Sequence, residues 1–200
     1  MIEETVREKA IQELLTPTWE LTKQFLNTFD VEKDNGLPRI ARIDTADSDG
    51  RVVVYVPIKN ERFYLALYFD TIVQIELVDV GTEAGTDVYL WVYDSSKIIK
   101  DEFPYRPIQI GDKNFTYSLD SSEPDDFEDK LNQLLDKLES DKIRFVEFST
   151  KTHISLNIAY YGYKDQMWGI HLDKKTIKRL ADLNIDFDFD IYAGGPDLKE

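Results

Sequence analysis

Residues 184–192 read Asn-Ile-Asp-Phe-Asp-Phe-Asp-Ile-Tyr, so large apolar side chains alternate with aspartates. Successive side chains of a β-strand point to opposite faces, and this alternation therefore predicts a strand with one apolar and one acidic face. The apolar face, expected to pack into a core, carries Ile185, Phe187, Phe189 and Ile191. The acidic face is a carboxylate ladder formed by Asp186, Asp188 and Asp190. Because like charges along one face repel each other, the ladder must meet water, a cation or basic groups.

The sequence before this strand predicts a helix. Asp173 is placed to cap its first turn, the apolar positions Ile177, Leu180 and Leu183 follow at helical spacing, and Asn184 can end it in the left-handed conformation. Further upstream, residues 154–160 alternate apolar and polar side chains and predict a half-buried strand.

An earlier helix is predicted to start at Ser122-Glu123-Pro124-Asp125, with proline near the first turn. Its apolar stripe consists of Phe127, Leu131, Leu134, Leu135 and Leu138. A short strand is predicted at 115–119. Residues 95–114 are predicted to form a long loop, because Pro104 and Pro107 disfavour a regular element there.

In the N-terminal half, the residue pattern changes from one typical of helices to one typical of β-strands. Two helices are predicted, broken at Thr16-Pro17, because proline stops a helix ahead of it. Five antiparallel strands rich in Val, Ile, Tyr and Phe should follow, at 39–46, 51–58, 61–70, 72–80 and 87–94. The expected turns between them lie at Asp49-Gly50, Lys59-Asn60 and residues 82–85.

These elements predict an α+β protein with N-terminal helices, a mainly antiparallel sheet and a C-terminal ferredoxin-like strand-helix-strand-helix-strand unit. The expected segments are 1–35, helical; 36–120, antiparallel β; and 121–200, α+β. They could also form one compact domain.

The composition restricts the classes of partner. Asp and Glu number 39 against 24 Lys and Arg, which gives a formal net charge of -15. Such a charge opposes binding to nucleic acid and to anionic membranes, and favours a basic protein as partner or plain solubility. The absence of cysteine excludes disulfides and thiolate sites. Without a signal-peptide pattern or a long apolar run, the expected location is the cytoplasm.

An aromatic cluster follows the predicted strand at 154–160. It comprises Tyr160, Tyr161, Tyr163, Met167 and Trp168, which we expect in a turn region between strand and helix. Most such clusters close a core, but Trp, Tyr and Met also enrich the centres of protein interfaces. We expect Trp168 and Tyr163 to join the aspartate ladder in binding a basic partner.

An enzyme is the alternative, using carboxylates or a divalent metal. His171, near Asp173, would be its natural imidazole, and the same histidine is included among the candidate binding residues. The chain has no His-x-x-x-His or His-x-His spacing, so neither a metal nor a cofactor is expected. Convergence of His171 with two aspartates in a pocket would favour the enzyme, whereas a flat acidic and aromatic face would favour binding.

Residues 124–193 resemble a bacterial family, domain of unknown function 4279. The resemblance lies in the acidic helix 126–138, the strand 154–158, and the stretch from Gly169-Ile170-His171-Leu172-Asp173 to Asp190-Ile191-Tyr192. Residues 63–66 and 80–83 resemble longer versions of the family with an N-terminal extension. The family implies no activity, cofactor or catalytic residue. Its association with toxin-immunity systems implies a protein-binding inhibitor.

Overall fold

The computed structural model describes residues 2–45, 50–94, 96–119, 124, 127–167 and 169–199. The fold is α+β, as predicted, and the chain forms two compact units. The first unit comprises Met1–Gly85, Tyr161–Trp168 and Tyr192–Glu200, and the second comprises Thr86–Tyr160 and Gly169–Ile191. Among the described residues, no helix has both the length and the apolar character needed to cross a membrane. The division into segments 1–35, 36–120 and 121–200 stays a prediction.

The first unit begins with the two predicted helices, α1 (Ile2–Leu15) and α2 (Glu20–Thr28). Pro17 lies between them, where its missing N–H and fixed ring end the first helix. The buried carboxylate of Glu13 accepts hydrogen bonds from the backbone N–H groups of Thr18 and Trp19, each at 3.0 Å. These bonds satisfy backbone donors that the start of a helix leaves without partners.

A small hairpin and a four-stranded sheet follow. The hairpin is formed by β1 (Lys33–Asp34) and β2 (Leu37–Pro38). The sheet has the order β3-β4-β5-β6, all antiparallel, with the bounds Arg42–Asp44, Arg51–Pro57, Tyr64–Asp70 and Glu76–Glu83. Val54 lies opposite Leu67, which lies opposite Val80, so alternate aliphatic residues of three strands share one buried face.

Two of the predicted turns are supported by backbone angles, and one is wrong. Asn60 has φ 64° and Gly50 has φ 82°, whereas Asp49 lies outside the described residues. The predicted turn at 82–85 is wrong, because β6 runs through Glu83 and β7 (Gly85–Val92) starts two residues later, with Ala84 between them. Gly85 is required there by close packing, since a Cβ atom would collide with the carbonyl oxygen of Arg62.

The second unit is built on a five-stranded sheet of order β11-β10-β7-β9-β8. The remaining strands are β8 (Gln109–Ile110), β9 (Phe115–Tyr117), β10 (Ile154–Tyr163) and β11 (Asp186–Gly194). The last residues of β10 and β11 belong to the first unit. Strand β7 therefore pairs in this sheet and not with β6, in contrast to the single run of five strands that was expected.

Four helices pack on one face of this sheet. They are α3 (Lys97–Glu102), α4 (Phe127–Glu139), α5 (Lys142–Ser149) and α6 (Lys174–Asp182). The predicted stripe of α4 is confirmed, because all five of its apolar side chains are buried in the core of the unit. His153 lies beside Asp186 and Tyr160 beside Phe189, so β10 and β11 run in the same direction with α6 as the crossover.

The loop predicted at 95–114 is wrong in two places. It contains α3 and the short strand β8. The side chain of Ser96 caps α3 by accepting from the N–H of Ile99 at 3.4 Å, and Ile99 and Phe103 are buried. The prolines do not interrupt this helix, because Pro104 follows its C-cap residue, Phe103.

Further differences concern burial near the C-terminus. Asp173 caps α6 and Asn184 adopts φ 55°, as predicted, but Ile177 and Ile191 are more than half exposed.

The predicted polar face of β10 is buried rather than exposed, because Ser155 and Asn157 are 0% and 6% exposed. Both are small side chains on β10, and the larger residues of its neighbours β7 and β11 flank them. The predicted start of α4 at 122–125 lies largely outside the described residues.

A candidate acid-aromatic binding face

The face of the second unit's sheet that points away from the helices carries a continuous set of aromatic and acidic side chains. The apolar residues of β7, β10 and β11 face the helices, so the alternate residues must point the other way. We call this set the acid-aromatic face. It consists of Tyr89, Trp91 and Tyr93, of His153, Ser155 and Asn157, and of Asp186, Asp188 and Asp190.

The aromatic row follows β7. The ring centroids of Tyr89 and Trp91 are 6.3 Å apart, and those of Trp91 and Tyr93 are 5.9 Å apart with an interplanar angle of 19°. The row continues to His153, whose ring centroid lies 4.6 Å from that of Tyr93. Tyr93 is 46% exposed, while Tyr89 and Trp91 are half-buried. The row therefore presents π surface to solvent along β7, on one side of β10.

The centre of the face is lined by small polar side chains of β10. Asn157 donates from Nδ2 to the carbonyl oxygen and to Oγ of Ser155, at 3.2 and 2.6 Å. The hydroxyl groups of Tyr93 and Ser155 are 3.4 Å apart. These bonds give the buried polar groups of Ser155 and Asn157 partners within the protein.

The acidic row follows β11 on the other side of β10. His153 Nδ1 lies 3.5 Å from Asp186 Oδ2, which joins the two rows at one end. Asp188 and Asp190 are exposed and form no ion pair with any residue that the structure describes. Within the described chain, the ladder thus meets water over most of its length.

This arrangement suits a cationic ligand. A guanidinium or ammonium group is attracted to an aromatic face by about 0.5–1 kcal/mol at exposed sites, and to a carboxylate by direct charge. A row of aromatic rings and a row of carboxylates, separated by one strand, offers both attractions on one surface. Arginine would gain most, because its planar group stacks on rings and forms paired hydrogen bonds with carboxylates.

One donor on the face has no partner. The indole Nε1 of Trp91 is buried and finds no hydrogen-bond acceptor among the described residues. A buried donor without an acceptor costs about 1–3 kcal/mol.

Tyr163, one of the two residues expected to join the aspartate ladder, lies in a core instead. Tyr163 is 1% exposed, and its ring packs against Phe25, Phe29 and Phe63 in the core of the first unit. Burial raises its pKa to about 12, and its hydroxyl donates to the carbonyl oxygen of Pro196 at 2.8 Å. Its side chain has no surface to offer a partner. Trp168 lies outside the described residues.

His171 lies in a separate pocket on the helix side of the sheet. The pocket has a volume of about 210 Å³ and is lined by Glu128, Leu131, Asn132, His171, Leu172, Asp173 and Thr176. It brings His171 together with Asp173 and Glu128, but not with the aspartate ladder, which points to the opposite face. The pocket therefore joins His171 to one aspartate, Asp173, and not to two.

The chemistry of this pocket is restricted by the role of Asp173 as a helix cap. Its carboxylate accepts from the N–H of Thr176 at 2.7 Å. Hydrogen bonds from the side chain and backbone of Thr176 lower the pKa of Asp173, which makes it a weaker base. The described residues contain no group of three or more His, Asp or Glu side chains arranged to hold a metal ion.

Sequence reasoning missed the aromatic row. The signal was present, because residues 88–93 alternate Val, Leu and Val with Tyr, Trp and Tyr. That alternation predicts aromatic side chains on one strand face. The sequence did not reveal that β7 and β11 lie on either side of β10, since strand order depends on contacts distant along the chain.

Comparison with known proteins gives one match. The sequence profile of a family described as Domain of unknown function (DUF4279) matches residues 95–194, half of the chain. The match begins well before residue 124, where the resemblance was expected to start, and includes α3 and β8. No curated protein and no solved structure matches the chain significantly.

Proposed function

As the chain belongs to the DUF4279 family, whose description assigns no activity, we propose its function from the geometry of the acid-aromatic face. The protein is a binding module, and this face receives basic side chains of a partner protein. The observation that carries the proposal is that β10 is flanked by the aromatic row and by the acidic row, in which Asp188 and Asp190 have no ion-pair partner among the described residues.

The charge of the whole chain supports this choice of partner. A net charge of -15 attracts basic surfaces over a distance and speeds their encounter. The aromatic row then supplies contact area of the kind that dominates the centres of interfaces. Charge would set the rate of association, and the rings would slow dissociation.

The proposal includes a biological setting. We place the module in the bacterial cytoplasm, which the cysteine-free composition supports. Its role would be that of an immunity-type inhibitor, whose acidic surface covers a basic effector and blocks the surface that the effector uses.

The first test is a low-salt pull-down from host lysate with the intact chain and with the triple variant Asp186→Asn, Asp188→Asn, Asp190→Asn. A matched control is Asp101→Asn, Asp129→Asn, Glu147→Gln, because these exposed acids lie on helices on the other side of the sheet. Both variants change the net charge equally. We expect basic proteins to be captured by the native chain and the control and lost from the ladder variant.

Titration of a captured protein then measures the contribution of the ladder. Exposed ion pairs contribute about 0.2–1 kcal/mol each, so losing three should weaken binding by about 0.6–3 kcal/mol. An equal loss of affinity in both triple variants would show that binding depends on net charge alone. Unchanged capture by the ladder variant would refute the proposal.

The aromatic row needs its own variant pair. Tyr93→Ala removes a ring that is 46% exposed, whereas Tyr93→Phe keeps the ring and removes only the hydroxyl. We expect the first change to weaken binding of the captured protein by about 1 kcal/mol and the second to leave it nearly unchanged. Circular dichroism of both variants controls for folding.

The enzymatic alternative would use the pocket around His171. His171→Ala separates the two functions, since this residue is not part of the acid-aromatic face. We expect it to leave capture of the basic protein unaffected.

A further inference from the structure

Strand β11 forms one edge of its sheet. In the order β11-β10-β7-β9-β8 it has, within the described chain, a neighbouring strand on one side only. Among the described residues, no backbone group of 186–191 bonds to a segment outside the sheet. An edge of this kind presents a row of free N–H and C=O groups that can pair with a further strand.

The side chains of β11 lie on the two opposite faces of the sheet. Asp186, Asp188 and Asp190 are exposed on the acid-aromatic face, and Phe187 and Phe189 are half-buried on the helix side. Ile191 continues the apolar face and is 58% exposed. The side chain of Asp186 is 73% exposed, so nothing in the described chain covers the ladder at that position.

We propose that the basic segment of the partner binds as an added strand along β11, with lysine or arginine at every second position opposite the three aspartates. This inference rests on the proposed function and specifies how the partner is recognised. Residues directly opposite each other on paired strands have Cβ atoms about 4.5–5.5 Å apart, which lets a basic side chain reach the facing carboxylate.

The spacing of the basic residues follows from the period of a strand. Side chains of the added strand would alternate between the two faces with the same period as the ladder. Consecutive basic residues would place every second charge beside Phe187 and Phe189, where desolvation disfavours it. The preferred segment is therefore basic-apolar-basic-apolar-basic, the charge complement of residues 186–190.

Two short capped peptides of identical composition test the register. One alternates lysine and valine, and the other has its lysines in one block followed by the valines. Binding to the intact chain is measured by titration calorimetry. We expect the alternating peptide to bind at least about tenfold more tightly, because only it places all its charges opposite the ladder. Equal binding of the two peptides would overturn the inference.

Backbone pairing is tested with N-methylated versions of the alternating peptide. Alternate N–H groups of a strand point to opposite sides, so one set would bond to β11 and the other would face solvent. Methylating one set should weaken binding by at least about tenfold, and methylating the other should have little effect. Equal effects of both sets would overturn the inference.

The outcomes also separate the inference from the proposed function. If neither peptide binds, at low salt and high concentration, both the added strand and the basic-partner proposal fail. If both bind equally and the ladder variant binds neither, the acid-aromatic face recognises charge, and only the strand addition is refuted.

Discussion

Arg179 of α6 donates from Nε and Nη2 to the two carboxylate oxygens of Glu139 of α4, at 3.0 and 2.8 Å. Its Nη1 also donates to Oδ1 of Asn132 at 3.0 Å. The guanidinium side chain is 13% exposed. One side chain thus fixes the position of the crossover helix on the longest helix of the second unit.

Arg179→Ala should destabilise the protein. Hydrogen bonds to charged groups contribute about 1.5–3 kcal/mol, and the partial exposure of Glu139 reduces this, so we expect a loss of about 1–2 kcal/mol in the free energy of unfolding. Denaturant unfolding measures it. Lys178→Ala is the control, because its pair with Asp182 is exposed and should contribute at most about 0.5 kcal/mol. Equal losses would contradict this account.

Glu13→Gln should make stability less dependent on pH. Burial raises the pKa of Glu13, but hydrogen bonds from Thr18 and Trp19 outweigh burial and lower the pKa below its ordinary value of 4.5. A lowered pKa in the folded state stabilises the fold above pH 4.5, and this contribution is lost as pH falls through the folded-state pKa.

We therefore expect Glu13→Gln to cost about 1–2 kcal/mol in the free energy of unfolding at pH 7. The difference from the native chain should shrink below pH 4.5, where the native carboxylate becomes protonated. Urea unfolding at several pH values tests this. If the two free energies of unfolding differed by the same amount at every pH, the charge of the Glu13 carboxylate would not contribute to stability.

Gly195→Ala should destabilise the first unit. Gly195 has φ 97°, and an added Cβ would lie 2.7 Å from Cδ2 of Tyr163, a buried ring. Left-handed backbone and overpacking together should cost about 2–4 kcal/mol. Gly194→Ala is the neighbouring control, because its Cβ would meet no atom within 4 Å. Thermal unfolding of the two variants should show a lowered Tm for Gly195→Ala alone.

Binding of a basic peptide should weaken as salt increases. The aspartates of the ladder are exposed, and exposed charges are screened over a Debye length of about 10 Å at 0.1 M salt. We expect the Kd of the alternating peptide to rise by about tenfold between roughly 50 and 500 mM sodium chloride. Calorimetry in both buffers measures it, and a salt-independent Kd would contradict an electrostatic interface.

The sequence predicted those elements whose characteristic pattern lies within a single helix or strand. The leucine stripe of α4, the break at Pro17 and the alternation in residues 184–192 each act within one element, so sequence alone identified them. The sequence did not predict α3, because a proline such as Pro104 disfavours regular structure, yet Pro104 lies just after the end of this helix.

The acid-aromatic face could be predicted only in part. The three aspartates were identified from their period, but Trp91 becomes relevant through a strand order that brings β7 next to β10. Tyr163 shows the opposite error, because an aromatic residue expected on the surface fills a core. Whether an aromatic side chain is buried or exposed depends on packing between distant segments, and composition does not decide it.

The aspartate ladder also affects how two copies of this chain would meet. An exposed edge strand invites pairing with an identical edge, which is a common route to aggregation. If β11 of one molecule approached β11 of another, aspartates would face aspartates, and like charges opposite each other repel. The carboxylates that would attract a basic strand to β11 therefore disfavour pairing of β11 with a second copy of itself.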